Sequence, residues 1–351
     1  MKKSIVIIIA VLVVAIAGVV WLNVGMPLNK KPVVVKTPPP VIGFSLGTTR
    51  EERWATDQSL FTKRVSELGG VVSAVGTDYD VTTQISQIEN LISQGIKVIV
   101  VVAADSDKLA PVIAEANAAG VKIIAYDRMI KNCNLDFYVS FDNVKVGELE
   151  AQGVLNVVDK GNFAYVGGGP TDNNALLVQK GSMNILNPLI QKGDIKLVFN
   201  KFSDNWDPDV AYKNLKAYLD TGKTVDAIVA ANDGTAGGAI QALREKHLDG
   251  KVPVSGQDAE LAACQRIVAG TQTATVYKPF VLEANESAEV AMAMAKGETP
   301  QTNSTVNNGQ IDVPSFLLTP VLVTKDNMQS TIVKDGFHSY DAIYNKTTAT
   351  K

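Results

Sequence analysis

The stretch Ile123-Ile124-Ala125-Tyr126-Asp127-Arg128-Met129 is an apolar run that stops abruptly in an acid and a base. A polar-faced helical segment and the turn Ala119-Gly120 precede it, and its unbroken apolarity is that of a parallel strand buried on both faces. In open α/β sheets, ligands bind in the crevice beyond the carboxyl ends of the strands. Asp127 and Arg128 therefore stand where recognition or chemistry is expected.

Outward from this strand the chain alternates strand and helix. Strands are expected at Val41–Leu46, Val71–Val75, Val98–Ala103 and Phe137–Phe141, with amphipathic helices at Trp54–Gly69, Asp80–Gly95 and Pro111–Gly120. The rhythm restarts after Gly147, with strands at Phe163–Val166, Ile195–Lys201, Ala227–Ala230 and Val252–Ser255. Past Thr273 it changes: a strand at Ala274–Lys278, a long Ala- and Met-rich helix from Phe280, then a Pro-interrupted extended segment, Ile311–Val323. Neither half needs these pieces to complete its alternation, so the chain is expected to cross back to the first half and return. The fold class is α/β: two doubly wound parallel-sheet lobes joined by a three-strand hinge. The expected division is 41–143 plus 276–306 for the N-terminal lobe and 144–275 plus 307–351 for the C-terminal lobe, after a segment 1–40 of different character.

In that first segment Lys2 and Lys3 precede an apolar run, Ile5–Leu22, which at about 1.5 Å per residue spans about 27 Å, near a bilayer core. Trp21 lies at its outer end, where interfacial aromatics belong. Ala15-Ile16-Ala17 matches a signal-peptidase site, but cutting there leaves Gly-Val-Val-Trp-Leu on the mature end, so an uncleaved transmembrane helix is expected. No cysteine stands directly after the run, so a lipid-anchored form is not expected. Asn23–Pro40, with Pro27, Pro32 and Pro38-Pro39-Pro40, reads as a stiff stalk. The expected location is the cell membrane, single-pass, with the folded body extracytoplasmic.

The 351 residues carry a net charge of -3 with acids and bases interspersed, which offers no basic stripe and excludes nucleic acid as a partner. Cys133 and Cys264 stand outside any metal-ligand or redox spacing and read as free buried thiols; His247 and His338 are isolated. Gly43-Phe44-Ser45-Leu46-Gly47 matches the G-x-S-x-G elbow of hydrolases, but it lies on the first strand with no earlier strand to supply an oxyanion donor. Gly167-Gly168-Gly169 lacks the spacing of a dinucleotide turn, and Pro170 removes a needed N–H. No cofactor, metal site or activated nucleophile is expected, and the protein is not expected to be an enzyme.

The strand tips are the informative positions. They read Arg50 to Arg53, Asp105 and Asp107, Asp127-Arg128, Asp142-Asn143, Asp172-Asn173-Asn174, Asp204-Asn205-Trp206, Asn232-Asp233, Gln257-Asp258 and Lys278. Asp, Asn and Arg offer planar, often bidentate donors and acceptors that suit adjacent hydroxyls, and Trp206 adds an apolar face with an indole N–H free to bond. Asp105, Asp107 and Asp233 also fit helix N-caps, as does Asp142. Capping does not require Arg53, Arg128 and Lys278 as well, so the tips together point to one neutral polyol.

From Val41 to Phe337 the chain resembles the periplasmic D-xylose-binding proteins of the ribose-type sugar-binding family. The resemblance runs in order through Glu52-Arg53-Trp54, Ala125-Tyr126-Asp127-Arg128-Met129, Ser140-Phe141-Asp142-Asn143, Asp172-Asn173-Asn174-Ala175, Asn232-Asp233, Gly256-Gln257-Asp258-Ala259 and Val276-Tyr277-Lys278-Pro279. It implies a type I periplasmic-binding-protein fold in which Arg53, Asp127 and Arg128 from one lobe, Asp172, Asn174, Trp206, Asn232 and Asp258 from the other, and Lys278 at the hinge bind D-xylose, with Asn173 an additional candidate. The transmembrane segment departs from the family pattern. It leads to the expectation of a membrane-anchored receptor whose sugar-closed state is read by a membrane sensor histidine kinase; the alternative is the binding subunit of an ABC importer that passes xylose to its permease.

Overall fold

A computed structural model describes residues 38–345. The run Ile5–Leu22, the stalk before Pro38 and the membrane expectation built on them lie outside these residues. Among the described residues no helix is long and apolar enough to cross a membrane.

The chain first lays down β1 (Val41–Leu46), α1 (Arg53–Glu67), β2 (Val71–Gly76), α2 (Val81–Ser93), β3 (Val98–Val102), α3 (Ala110–Ala118), β4 (Lys122–Tyr126) and β5 (Phe137–Phe141). These five strands are parallel neighbours in one sheet. The apolar runs are continuous because both faces are covered, and the two-residue period sorts them. In β3, Val98, Val100 and Val102 join the core under α1, whereas Ile99 and Val101 join the core under α2 and α3. In β4, Ile124 and Tyr126 face the first core and Ile123 and Ala125 the second. Ser45, of the elbow-like motif, is buried within β1 and accepts a hydrogen bond from Gln84 Nε2 at 3.2 Å. A side chain buried this way inside a strand is not presented at a strand-to-helix turn.

A second set follows: α4 (Asn143–Leu155), β6 (Gly161–Val166), α5 (Asn173–Lys192), β7 (Ile195–Lys201), α6 (Pro208–Leu219), β8 (Ala227–Ala230), α7 (Asp233–Arg244) and α8 (Leu261–Ala269). Here β7, β6 and β8 form a parallel sheet with its own cores on both faces. The strand expected at Val252–Ser255 is reduced to a single bridge between Val254 and Ile228.

Three segments join the sheets. Asp142 ends the first crossing and caps α4, its side chain accepting from Lys145 N–H. The second crossing leaves β9 (Thr275–Tyr277) and enters α9 (Phe280–Ala295), whose Ala284, Ala288 and Ala291 pack on the first sheet. The return to the second half comes later than the expected residue 307. After β10 (Ser304–Asn307), β11 (Asp312–Leu318) pairs parallel with β5, so both strands extend the first sheet to seven. The polar alternation of β10 had hidden its role as an edge strand. Only after Pro320 does β12 (Val321–Val323) pair with β9, before the terminal α10 (Tyr340–Tyr344). The first and third crossings lie side by side, Asp142 N–H donating to Leu318 C=O at 3.0 Å.

Candidate functional site

The carboxyl ends of the two sheets face one another across a polar cavity whose empty space, including the part open to solvent, is about 300 Å³. Arg53, Asp127, Arg128, Asp172, Asn174, Trp206, Asn232, Asp258 and Lys278 all line it, joined by Glu51, Trp54 and Gln257. Asn173 does not; its N–H donates to Ser106 Oγ, away from the cavity.

Local backbone geometry aims these side chains. At the end of β4, Arg128 N–H donates back to Tyr126 C=O at 2.6 Å, closing a γ-turn around Asp127, which takes φ 58°. The Asp127 carbonyl then accepts from Tyr138 Oη, Ser140 Oγ and Asn174 Nδ2, which over-determines the bend. Asp258 (φ 91°) and Trp206 (φ 54°) are held in the same left-handed region. Residues with a Cβ reach it at a cost of about 1–3 kcal/mol and persist there when their surroundings enforce it. Three of the lining residues therefore carry strain that a purely structural loop would shed.

The Gly167–Gly169 run has a packing role. A Cβ on Gly168 would sit 2.2 Å from the indole of Trp206, so the missing side chain is the space the ring occupies. The indole N–H, expected to be free for a ligand, instead donates to Asp172 Oδ2 at 3.1 Å, fixing the ring plane against the cavity. Asn232 combines two tasks. Its Oδ1 accepts from Thr235 N–H at 2.8 Å and caps α7, leaving its amide NH₂ at the cavity. The cap assigned to Asp233 thus belongs to Asn232. Asp233 instead accepts from Gln272, Thr275 and Glu260 N–H in a buried loop network. Asp105 accepts from Asp107 N–H and Lys108 N–H, as a cap would, while Asp107 pairs with Lys131.

The charges are closely matched. Arg53 lies 2.9 Å from Asp127 Oδ2, 2.9 Å from Glu283 Oε2 and 3.2 Å from Asp57 Oδ2. Arg128 pairs with Asp172 at 2.9 Å, and Lys278 with Asp258 at 2.9 Å and Asp127 at 3.7 Å. Burial alone would push the Asp127 carboxyl up, but Arg53, then Lys278 and Arg128, outweigh it and hold it at about 2. Burial wins at Asp172, Asp57 and Glu283, whose carboxyls are all raised. Every lining cation therefore has an anionic partner, and no positive charge is left for a phosphate or carboxylate ligand. What remains available are hydrogen-bonding edges and two indole-bearing walls, since Glu51 draws the Trp54 N–H at 2.6 Å and the Arg53 and Arg128 guanidiniums stack on the Trp54 ring. Such a lining recognises hydroxyl groups on an uncharged ring.

Glu51, Trp54 and Gln257 lay within or beside tips already noted. Glu283 and Asp57, which complete the Arg53 cage, lie inside helices and carried a weaker signal: each is an acid on a helix face otherwise turned to the core. Among the described residues no group of three or more His, Cys, Asp or Glu side chains could hold a metal. Cys133 and Cys264 are free and buried.

Two facing α/β sheets, three crossings and a polar cavity at the sheets' carboxyl ends define a type I periplasmic binding protein. The description "Periplasmic binding protein domain" matches residues 42–299, and the chain belongs to that family, one of binding proteins rather than enzymes. It is 47% identical over 298 residues to the D-xylose-binding periplasmic protein of Escherichia coli (strain K12), covering 85% of this chain and 90% of that one. It is likewise 47% identical to the D-xylose-binding periplasmic protein of Haemophilus influenzae, covering 86% and 92%. Among solved structures, a carbohydrate transporter solute binding protein from Chloroflexus aurantiacus in complex with D-glucose superposes with a TM-score of 0.81 at 30% identity, covering 88% of this chain and 99% of that one.

Proposed function

We propose that this protein is an extracytoplasmic D-xylose receptor whose lobes close on one sugar and present the closed form to an ABC-type permease. The observation that carries the proposal is the single cavity whose lining combines Asp127 from the first sheet, Asn232 and Asp258 from the second, and Lys278 from a crossing. A sugar touching all of them gains contacts only when the lobes are together, and a ligand shifts an equilibrium only by such differential affinity. The charge balance suits a neutral ligand. Relatives named for D-xylose and neighbours named as transporter solute-binding proteins support the choice of sugar and of output.

One observation favours a second output. The run Ile5–Leu22, with no cysteine directly after it, is long enough for a membrane tether, and a tethered receptor raises its effective concentration beside a sensor histidine kinase in the same membrane. Mass spectrometry of the native N-terminus separates a tethered from a released form. For the central claim, calorimetric titration with D-xylose, D-ribose and D-glucose is decisive: one-site saturation led by xylose is expected, and no heat with any pentose refutes it.

A further inference from the structure

Between Asp105 and Asp107, at the carboxyl end of β3, stands Ser106, a residue with almost no exposure and no place in the cavity lining. Its three polar main-chain and side-chain groups are all engaged. The Ser106 N–H donates to Thr171 C=O at 2.9 Å, its Oγ accepts from Asn173 N–H at 2.9 Å, and its C=O accepts from Lys131 N–H at 2.7 Å. The last bond ties Ser106 to its own lobe. The first two cross the cleft, because Thr171 and Asn173 precede and open α5 of the second sheet. They grip the loop on both sides of Asp172, whose neighbours are the two partner residues, and one residue ahead of Asn174. Asp172 and Asn174 both line the cavity.

The tip is built to hold this pose. The Asp105 carboxylate accepts from Asp107 N–H and Lys108 N–H, which folds the main chain back and leaves the Ser106 hydroxyl and N–H directed at the opposite lobe. Other direct bonds also cross the cleft: within the cavity Arg128 pairs with Asp172 at 2.9 Å and Asn174 Nδ2 donates to Asp127 C=O at 3.0 Å, and in exposed settings Arg50 reaches Asn205 C=O at 3.5 Å and Leu261 N–H donates to Glu52 at 3.3 Å. The Ser106 pair is short, centred on a buried residue, and set apart from the cavity lining.

We infer that Ser106 is a closure latch: a positioning residue that bonds lobe to lobe without touching sugar and sets Asp172 and Asn174 in their binding places. The latch rests on the sugar-receptor proposal for its purpose, but its bonds are made by protein alone. They therefore favour the closed form before sugar arrives, and once sugar is bound they resist reopening. The latch slows sugar release and leaves the rate of encounter unchanged.

The test uses the full chain carrying Glu89→Cys and Asp209→Cys, both exposed positions, labelled with a donor and acceptor dye; the native thiols are buried. Ser106→Ala removes the Oγ bond to Asn173 and keeps the N–H bond to Thr171; Ser106→Thr restores the hydroxyl. Losing one buried hydrogen bond is expected to lower the closed-to-open ratio of the sugar-free protein, and to raise the xylose off-rate, by roughly three- to tenfold. The on-rate stays the same and Ser106→Thr recovers most of both effects. Unchanged closed fraction and off-rate in Ser106→Ala, or an equal defect in Ser106→Thr, overturns the latch. Because the sugar-free closed fraction is read without ligand, the latch stands or falls separately from the identity of the sugar.

Discussion

Arg53, the first residue of α1, and Asp127, the residue after β4, meet in a 2.9 Å ion pair that is almost wholly out of water. The same guanidinium bonds Asp57 and Glu283, and it lies 3.6 Å from Asp258 of the other lobe. One cation thus orders acids from α1, β4, α9 and the loop before α8. Removing it leaves the buried acids Asp57 and Glu283 without a cation, while Asp127 and Asp258 keep Lys278; breaking a buried pair in this way costs about 3–5 kcal/mol. Arg53→Met is expected to lose stability on that scale in urea unfolding, and Asp57→Asn in the same background to recover part of the loss.

The two lining residues least replaceable by water are Trp206 and Asp258. Truncating either removes contacts that buried hydroxyl groups of the sugar need, so Trp206→Ala and Asp258→Ala are each expected to weaken D-xylose binding by about 2 kcal/mol or more. Calorimetry on both variants checks this, and unchanged affinity in both contradicts the assigned site.

Gly168 gives a subtler test. Gly168→Ala inserts a methyl into the indole of Trp206 and adds nothing polar to the cavity. The ring must shift and loosen its bond to Asp172, so affinity is expected to fall at least roughly tenfold, with a change in tryptophan emission, while unfolding stability falls less than the about 1–3 kcal/mol typical of overpacking in a rigid core.

Stability should also report the second lobe's buried acids. Burial, only partly offset by Arg266, raises Asp233 to about 7; burial together with Asp233 and Asp258 raises Glu260 to about 8. In the unfolded chain both carboxyls titrate near the ordinary value of about 4, so between these values the folded state holds more protons. Their contribution is therefore complete below about pH 4 and is lost as pH rises through 7 to 8, at a limiting slope of about 1.4 kcal/mol per pH unit per proton. Asp127 acts with the opposite sign: held at about 2, it stabilises above pH 4 and that gain is lost as pH falls through 2. Urea midpoints from pH 5 to pH 9 should decline, and Asp233→Asn should flatten the decline.

The strands were legible because each carries its own signal. β3 and β4 are apolar throughout, and a strand buried on both faces can hardly be written otherwise. The cavity residues were legible as a class, since acids, amides and bases that follow an apolar run have no core role to explain them. β10 was not foreseen as a strand, and β11, foreseen as extended chain, was placed in the other lobe, because an edge hairpin alternates weakly and Pro314 and Pro320 interrupt the only run that could mark it. Ser106 was passed over between two acids that looked like caps. What distinguishes it is a partner 67 residues away, and no local pattern announces such a contact. The Trp206 N–H bond to Asp172 was missed for the same reason.

The most direct measurement is a crystal structure of the full folded body with D-xylose bound. The account predicts one pyranose in the cavity, hydrogen-bonded at once to Asp127 of the first sheet and to Asn232 and Asp258 of the second, with a ring face on Trp206. A sugar held by one lobe alone, or density for it anywhere other than between the two sheets, would contradict it.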